Sequence, residues 1–458
     1  MNQSRLLATA VSLLTCLSAA LPVLAQETAP EQKKPAPLPG EKTPQSELRY
    51  PATPPQEYKF GYLEPDFKGF KVANGEMGSM NVSLYTYLRY LNQKALDDTY
   101  TDSFGRTKTL DLRNDIQLQK LKLTFKGWVF DEDFGYNAYV WTSNPAQGQG
   151  AQVVGAGWLT YRVADPLTIG GGIWSVPAVR TLEGEFPKFY RTDSRTIADE
   201  FFRGAYTSGI WAMGNLTDEL SYRAMLANNL STLGVDAVQL DNKLDTVSVA
   251  LVWKPGNTYG SGYGDWEIHD DPAVRFGLHA TRSTEDRQSQ PGADDPENTQ
   301  IRLSDGTGLF EINGFGPGIQ VEKALYQMVS FDAGIKWGGF SLDGEYYARW
   351  LSDFRGTGPF PVQGVFDRGF QLQGGYFAIP KKLQGYLSGS RIIGEFGDSW
   401  DLAAGVNWYP FSKPGFDRQF RINPEVMYLR NSPVGNTSVP YIVGSNGFII
   451  QISTELSF

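Results

Sequence analysis

The sequence predicts an all-β fold, a transmembrane antiparallel β-barrel of about 16 strands. Three observations lead to this prediction. Apolar and polar residues alternate with a period of two in one segment after another, short and long connections alternate between those segments, and aromatic residues make up 13% of a chain that is otherwise polar. Successive side chains of a strand point to opposite faces, so this period places one face against lipid and the other against water.

The last segment, residues 446–458, shows the alternation most clearly. Its apolar face carries Phe448, Ile450, Ile452, Thr454, Leu456 and the carboxyl-terminal Phe458. Its other face carries Ile449, Gln451, Ser453, Glu455 and Ser457. An alternating strand with a terminal Phe resembles the terminal signature of bacterial outer-membrane proteins. We therefore expect Phe458 to be read by the barrel-assembly machinery.

The same pattern recurs in residues 246–253, 329–337, 340–350 and 400–408, with Trp and Tyr near the segment ends as in the aromatic girdles of membrane barrels. Counting from Gly78 gives about 16 segments, the even number that bacterial barrels have. Short turns are predicted at 131–133, 164–166, 215–217, 338–339 and 379–380, and long connections at about 92–112, 175–201, 230–242, 284–325, 352–365 and 430–445. Two connections break this order, since 255–271 is long for a turn and 393–397 is short for a loop.

Composition and the amino terminus define the domain organisation. Residues 1–25 have the pattern of a cleavable signal peptide for Sec export, with Arg5 followed by an apolar stretch and small residues before Gln26. Residues 26–60 form a Pro-rich flexible linker, and residues 61–458 form the predicted outer-membrane barrel. No run after Ala25 approaches the about 18 apolar residues of a membrane-spanning helix.

Several function classes are disfavoured by the same composition. A net charge of −9 argues against a nucleic-acid partner. The single cysteine, Cys16, lies inside the predicted signal peptide, which leaves no thiol chemistry to the mature chain. We expect no catalytic residue, no metal and no cofactor.

In a barrel, the residues that face the lumen decide what passes. Basic residues of that parity are the candidates for pore-lining anion contacts: Arg89, Lys122, Lys126, Arg162, Arg223, Arg275, Lys336, Arg349 and Arg421. Acidic residues share the same faces, including Asp332, Asp343 and Glu425, so the alternative is a mixed wall of paired charges.

The connection after Trp174, residues 175–201, is rich in aromatic and charged residues. Its basic residues and the Arg just beyond it are the candidates for a constriction: Arg180, Lys188, Arg191, Arg195 and Arg203. The loop either folds into the barrel and narrows it, or stays outside as a solvated loop.

Three stretches resemble the phosphate-selective porin O and P family of Gram-negative outer membranes. They are residues 70–90, FKVANGEMGSMNVSLYTYLRY, residues 167–214, from LTIGGGIWSVPAV to FFRGAYTSGIWAMG, and residues 374–411 with their GGYFAIPKK and GVNWYPF runs. The resemblance spans about residues 61–458. It implies a sixteen-stranded barrel in the outer membrane, a homotrimer, and an inward third loop. Phosphate selectivity transfers less readily, because Lys120, Lys122 and Lys126 stand where the family has an arginine-rich strand.

The predicted function is passive diffusion of small hydrophilic solutes, anionic or neutral, with a preference for anions such as phosphate. The expected surroundings are outer-membrane lipid and lipopolysaccharide. One alternative is a non-conducting barrel that acts as an adhesin or structural protein. Another is a barrel-borne hydrolase, which would need His269 or His279 as its base, and neither has an evident orienting partner in the sequence.

Overall fold

The computed structural model describes residues 61–143, 152–184, 186–204, 206–230, 243–287, 301–411, 413–435 and 439–458. The predicted signal peptide and Pro-rich linker lie outside the described residues. The strands, in chain order, are β1 (Tyr62–Glu64), β2 (Gly69–Gly75), β3 (Gly78–Leu96), β4 (Thr99–Thr101), β5 (Thr107–Thr109), β6 (Asn114–Val129), β7 (Asp131–Ser143), β8 (Gln152–Ala164), β9 (Leu167–Ser175), β10 (Tyr206–Asn215), β11 (Leu220–Ala227), β12 (Thr246–Trp253), β13 (Ala273–Asp286), β14 (Gln320–Trp337), β15 (Phe340–Thr357), β16 (Gly364–Ile379), β17 (Leu383–Gly394), β18 (Gly397–Trp408), β19 (Phe420–Arg430) and β20 (Gly447–Ser457).

Sixteen of these strands form a closed antiparallel barrel. From β6 to β20, each strand pairs with the next along the chain, and β3 closes the circle by pairing with both β6 and β20. Tyr90 of β3 marks the closure, since it lies opposite Ile116 on one side and Ile452 on the other. The predicted fold class and strand number are confirmed.

The period of two separates an outer from an inner surface. On β14, Phe331 is 48% exposed while its neighbour Asp332 is fully buried. Large apolar side chains cover the outside, and aromatic residues mark its two edges. Trp337, Phe340, Tyr376 and Trp408 lie at the edge with the short turns, and Trp350, Phe366, Trp400 and Tyr428 lie near the other edge. Inward-facing side chains are buried because the lumen contains protein.

The connections follow the predicted alternation with its two exceptions, and residues 409–419 between β18 and β19 are a third, an unpredicted long connection at the short-turn end. The turn between β14 and β15 is Gly338-Gly339, with φ values of 59° and 83°, and a two-residue hairpin of this kind requires such left-handed backbone. Residues 254–272 form a long connection at the same end of the barrel, and only residues 395–396 join β17 to β18 at the other end.

Two small hairpins supplement the barrel. Strand β2 pairs with the start of β3 beyond the point where β20 ends, and β1 pairs with β2. The ring of Phe70 on β2 contacts that of Phe458 edge-on, with centroids 5.4 Å apart. Strands β4 and β5 form a hairpin within the long connection after β3. No helix in the described part of the chain has the length and apolar character needed to cross a membrane.

Candidate functional site

The connection between β9 and β10 lies inside the barrel. We call residues 176–204 the inward loop; its Glu185 is not described. It contains a 3₁₀ turn at Arg180–Leu182 and helix α1 (Ile197–Phe202). The Thr196 hydroxyl caps this helix by accepting a hydrogen bond from the backbone N–H of Asp199. All six helical residues are buried. A helix this short cannot bury its own side chains, so the barrel wall and the other segments in the lumen cover it.

Polar contacts hold the inward loop against the far wall, on β15 to β19. Arg191 makes a two-pronged contact with Glu425 of β19, each N–H···O distance being 2.7 Å. Arg180 donates to Asp343 of β15 at 2.5 Å. The Thr196 hydroxyl donates to Gln371 of β16 at 2.8 Å, and the backbone N–H of Ala198 donates to Ser390 of β17 at 3.1 Å. The loop therefore crosses the lumen and narrows it.

A second segment enters the barrel from the opposite end. We call residues 254–272, between β12 and β13, the inner turn segment. Its Tyr263 ring packs between Phe189 and Tyr190 of the inward loop, with centroids 5.9 and 5.6 Å away, and the Arg180 guanidinium lies 4.2 Å from it. The Tyr263 N–H donates to the Lys188 carbonyl at 2.9 Å. The two segments thus meet inside the barrel and fill one side of it.

The sequence contained one sign of the inner turn segment, which is the length of this connection. Its buried aromatic residues, Tyr259, Tyr263 and Trp266, were not among the predicted site residues. A long turn rich in Tyr, Trp and Gly is compatible with solvent as well as with a packed interior, so its direction depends on tertiary contacts.

Seven of the fourteen predicted basic residues lie inside the barrel and are paired with buried carboxylates. The pairs are Arg180–Asp343, Arg191–Glu425, Arg195–Asp199, Arg203–Glu200, Arg275–Asp332, Arg349–Asp367 and Arg421–Glu455. This arrangement corresponds to the wall of paired charges that the sequence left open as the alternative. Such groups hold the lumen contents together, and each cation is largely compensated where it lies.

Other predicted residues have different partners. Arg89 donates to Gln117 and Gln119, and Arg223 donates to the backbone carbonyls of Ser175 and Leu182. Three further predicted residues lie near the short-turn end. Lys336 lies 4.5 Å from the Tyr259 ring and 3.9 Å from the Glu267 carboxylate, Lys188 donates to Ser261 at 2.7 Å, and Arg162 pairs with Asp133 and is about half exposed.

Burial and neighbouring charges shift the pKa values of two residues of the inward loop. Burial raises the pKa of Asp199, against the opposing effect of Arg195 and Arg203. Burial alone would lower the pKa of Arg191, but Glu425 and Asp401 raise it above its ordinary value. Arg191 is therefore a permanent cation, which makes its contact with Glu425 a fixed point of the loop.

Strand β6 carries the lysines that differ from this pattern. Lys120, Lys122 and Lys126 lie along its lumen face, and Lys120 pairs with Asp193 of the inward loop. The Lys122 ammonium lies 4.3 Å from the Tyr139 ring and 5.8 Å from the Phe186 ring of the inward loop. Within the described residues, Lys122 and Lys126 have no carboxylate in ion-pair contact. The lumen face of β6 is therefore a positive wall formed by Lys122 and Lys126.

The wall next to β6 is aromatic. Tyr139, Trp158, Trp174 and Trp211, on the consecutive strands β7 to β10, form a belt with neighbouring centroids 4.9–6.1 Å apart. Gly170 of β9 makes room for it, because a Cβ at that position would lie 2.4 Å from the Trp211 indole. The belt and the β6 lysines face the side of the lumen across from the inward loop's anchors.

A cavity of about 600 Å³ opens at the short-turn end of the barrel. Its lining includes Phe67, Lys188, Trp266, Lys382 and Arg418. Lys188 belongs to the inward loop and Trp266 to the inner turn segment, so the cavity lies where these two segments reach the short-turn end.

The two histidines have carboxylate partners that the sequence did not reveal. His279 Nε2 lies 3.1 Å from Asp332 and 3.3 Å from Glu183, and its Nδ1 lies 3.1 Å from the Pro177 carbonyl. His269 contacts Asp265 and the Thr258 carbonyl. The cluster of His279, Glu183 and Asp332 is a poor metal site, because both of its carboxylates also pair with Arg275. In the described residues, no Ser or Thr hydroxyl is hydrogen-bonded to either imidazole.

One comparison with solved structures bears on the fold. No protein-family model and no curated protein matches the chain. The outer membrane channel DcaP of Acinetobacter baumannii shares the fold with a TM-score of 0.51 at 10% identity, covering 85% of this chain and 99% of that protein. An anion-selective porin from Comamonas acidovorans gives 0.48 at 10% identity, covering 83% and 100%. Salmonella typhi OmpF gives 0.44 at 14% identity, covering 83% and 98%. The first likeness supports the barrel fold alone, and the other two are too distant to support an inference.

Proposed function

We propose that the protein is a porin of the Gram-negative outer membrane through which small hydrophilic solutes diffuse passively, with a mild preference for anions. The observation that carries the proposal is the lumen itself. A closed barrel with an apolar outer surface encloses a loop that crosses the lumen, and the Lys122 ammonium of β6, which has no carboxylate in ion-pair contact within the described residues, lies beside the Phe186 ring of that loop. Narrow water-filled passages lined by cations favour anions.

The proposal also covers how the chain reaches the outer membrane and assembles there. The chain is exported through the Sec pathway, Phe458 is recognised by the assembly machinery, and the barrel forms a homotrimer. The resemblance to the phosphate-selective porin O and P family supports these assignments. Phosphate remains one candidate among small anions, because the lumen arginines Arg191, Arg349 and Arg421 are paired with carboxylates, whereas the positive wall of β6 is made of lysine.

Single-channel recording tests the proposal. We expect stepwise conductance in a planar bilayer, and a reversal potential across a KCl gradient that indicates anion preference. Replacing Lys122 and Lys126 by Gln should reduce the anion-to-cation permeability ratio by at least about threefold. That figure is the effect of one unit charge on an ion roughly 6 Å away in water, about 0.7 kcal/mol.

The matched control is Arg368→Gln/Arg430→Gln, which removes the same charge from the outer surface of the barrel. This control should keep the permeability ratio of the unmodified protein. An unchanged ratio in the lysine variant would reject the lysine wall as the source of selectivity. Absence of conductance from a correctly folded barrel would reject the porin assignment and favour an adhesin or structural role.

The hydrolase alternative has little support from the geometry. A nucleophile activated by histidine needs a hydroxyl or thiol within hydrogen-bond reach of the imidazole. The ring nitrogens of His269 and His279 are occupied by carboxylates and backbone carbonyls. These contacts suit the attachment of the inner turn segment and the inward loop to the wall.

A further inference from the structure

The outer surface of the barrel carries exposed arginines on strands β16, β17 and β19. Arg368, Arg391 and Arg430 alternate with apolar residues on the outward face of their strands, and all three are exposed. Charged side chains on the lipid-facing surface are destabilising at the centre of a bilayer, and the cost falls towards its edges. Their height on the barrel therefore decides what they can contact.

The pairing register places these arginines together. Arg391 lies opposite Trp400 of β18, and Trp400 lies opposite Arg430. Arg391 and Arg430 are thus two strand spacings apart, or roughly 10 Å. Arg368 lies opposite Ile393, which makes it a diagonal neighbour of Arg391. We call Arg368, Arg391, Arg430 and Trp400 the arginine patch.

Strand β18 gives the height of the patch. Trp408 marks the edge with the short turns, and Trp400 lies eight residues away on the same face. Eight residues span roughly 26 Å along a strand. With the 35–45° tilt of membrane barrels, this is about 20 Å across the bilayer, close to the height of the apolar band. The arginine patch therefore lies at the edge with the longer connections, which is the outer leaflet in the proposed orientation.

The charges of the arginine patch are only partly compensated. Arg391 pairs with Asp398 at 3.2 Å, and both side chains are about half exposed. Arg368 and Arg430 have no ion-pair or hydrogen-bond partner within the described ranges. Three guanidinium groups and one carboxylate leave a net positive patch beside a Trp, at the level of lipid headgroups. Guanidinium groups bind phosphate oxygens in two-pronged geometry.

We propose that the arginine patch binds the phosphate groups of a phosphorylated glycolipid in the outer leaflet, with Trp400 against the start of its acyl chains. This inference rests on the proposed outer-membrane location, and it is independent of conduction because the arginines face away from the lumen. Asp398 limits the affinity by competing for Arg391.

Titration of the full-length protein in an uncharged detergent with purified lipopolysaccharide tests the proposal. The variant Arg368→Gln/Arg430→Gln should bind roughly 30-fold more weakly, the effect expected for two cations near an anionic surface. Asp398→Asn should bind more tightly than the unmodified protein. The matched control Lys381→Gln/Lys382→Gln removes two exposed charges from the turn after β16, at the other edge, and should bind within twofold of the unmodified protein.

The source of the phosphate is tested with two further probes. Lipopolysaccharide freed of its phosphates should bind the unmodified protein as weakly as intact lipopolysaccharide binds the arginine variant. Inorganic phosphate alone should not bind at millimolar concentration. Arginine-dependent binding of inorganic phosphate would show that the ligand of the patch is a free anion and not a lipid.

Equal lipopolysaccharide binding by the arginine variant and the control would overturn the proposal. So would a change of oligomeric state in the arginine variant, which would make the patch a protein interface. Unchanged single-channel conductance in Arg368→Gln/Arg430→Gln and in Asp398→Asn, whose side chains face away from the lumen, separates these outcomes from a failure of the proposed function.

Discussion

The contact between Arg191 and Glu425 should control how firmly the inward loop stays docked. Both side chains are fully buried, and Glu425 also accepts hydrogen bonds from Tyr386 and Gln451. In Glu425→Gln, the amide would present an NH₂ group to donors that now meet a carboxylate. The guanidinium of Arg191 would then be a buried cation without its main counter-ion.

The magnitude follows from the burial of the pair. Breaking a buried ion pair by neutralising one partner costs about 3–5 kcal/mol. The loop keeps its other anchors, among them the contacts of Thr196 with Gln371 and of Ala198 with Ser390, each contributing about 0.5–1.5 kcal/mol. The loop should therefore remain docked on average. Its undocked population should increase by about two to three and a half orders of magnitude, since 1.4 kcal/mol corresponds to about tenfold.

Single-channel recording measures this population directly. Glu425→Gln should show frequent transitions to a larger conductance level, and the double variant Arg191→Gln/Glu425→Gln should show fewer, because two neutral amides can hydrogen-bond to each other. The control Asp133→Asn breaks the exposed pair with Arg162, which solvent screens, and should leave the current steady. A steady current at an unchanged level in Glu425→Gln would refute the view that this pair holds the loop.

Two further substitutions test the packing of the lumen. Tyr263→Ala removes the ring between Phe189 and Tyr190 and should increase the conductance, whereas Tyr263→Phe, which keeps the ring, should not; equal conductance of the two variants would contradict the packing. Gly170→Val places a Cβ 2.4 Å from the Trp211 indole and should destabilise the barrel by about 1–3 kcal/mol in denaturant unfolding. The control Gly171→Val points outward, where the nearest atom is 3.7 Å away, and an equal loss in both variants would show that the aromatic belt is not the cause.

The sequence was sufficient for the barrel because its signal is local. The alternation on β14, β15, β18 and β20 requires knowledge of neighbouring residues only, and each strand has the inner and outer face that this parity assigns. The orientation of Lys122 and Lys126 was predictable for the same reason. The break in connection lengths at 255–271 was also visible, although not its cause.

The lumen contents were beyond this kind of reasoning because the contacts that define them are distant in sequence. Arg191 and Glu425 are 234 residues apart, and His279 and Asp332 are 53 apart. Parity shows that a charge faces inward, but it does not show which opposite charge meets it there. The list of candidate anion contacts therefore contained residues whose partners are carboxylates of the same barrel.

This distinction bears on selectivity. An arginine in contact with a carboxylate presents a dipole to a passing ion, and the field of a dipole decreases faster with distance than that of a single charge. The paired arginines of the inward loop and of β13 to β20 therefore fix the shape of the passage more than its charge. Selectivity then depends on the few cations without a carboxylate partner, and Lys122, between the Tyr139 and Phe186 rings, is one of them. Strand β6, which carries both Lys122 and Lys126, would in this way contribute more to the ion preference of the barrel than its paired arginines do.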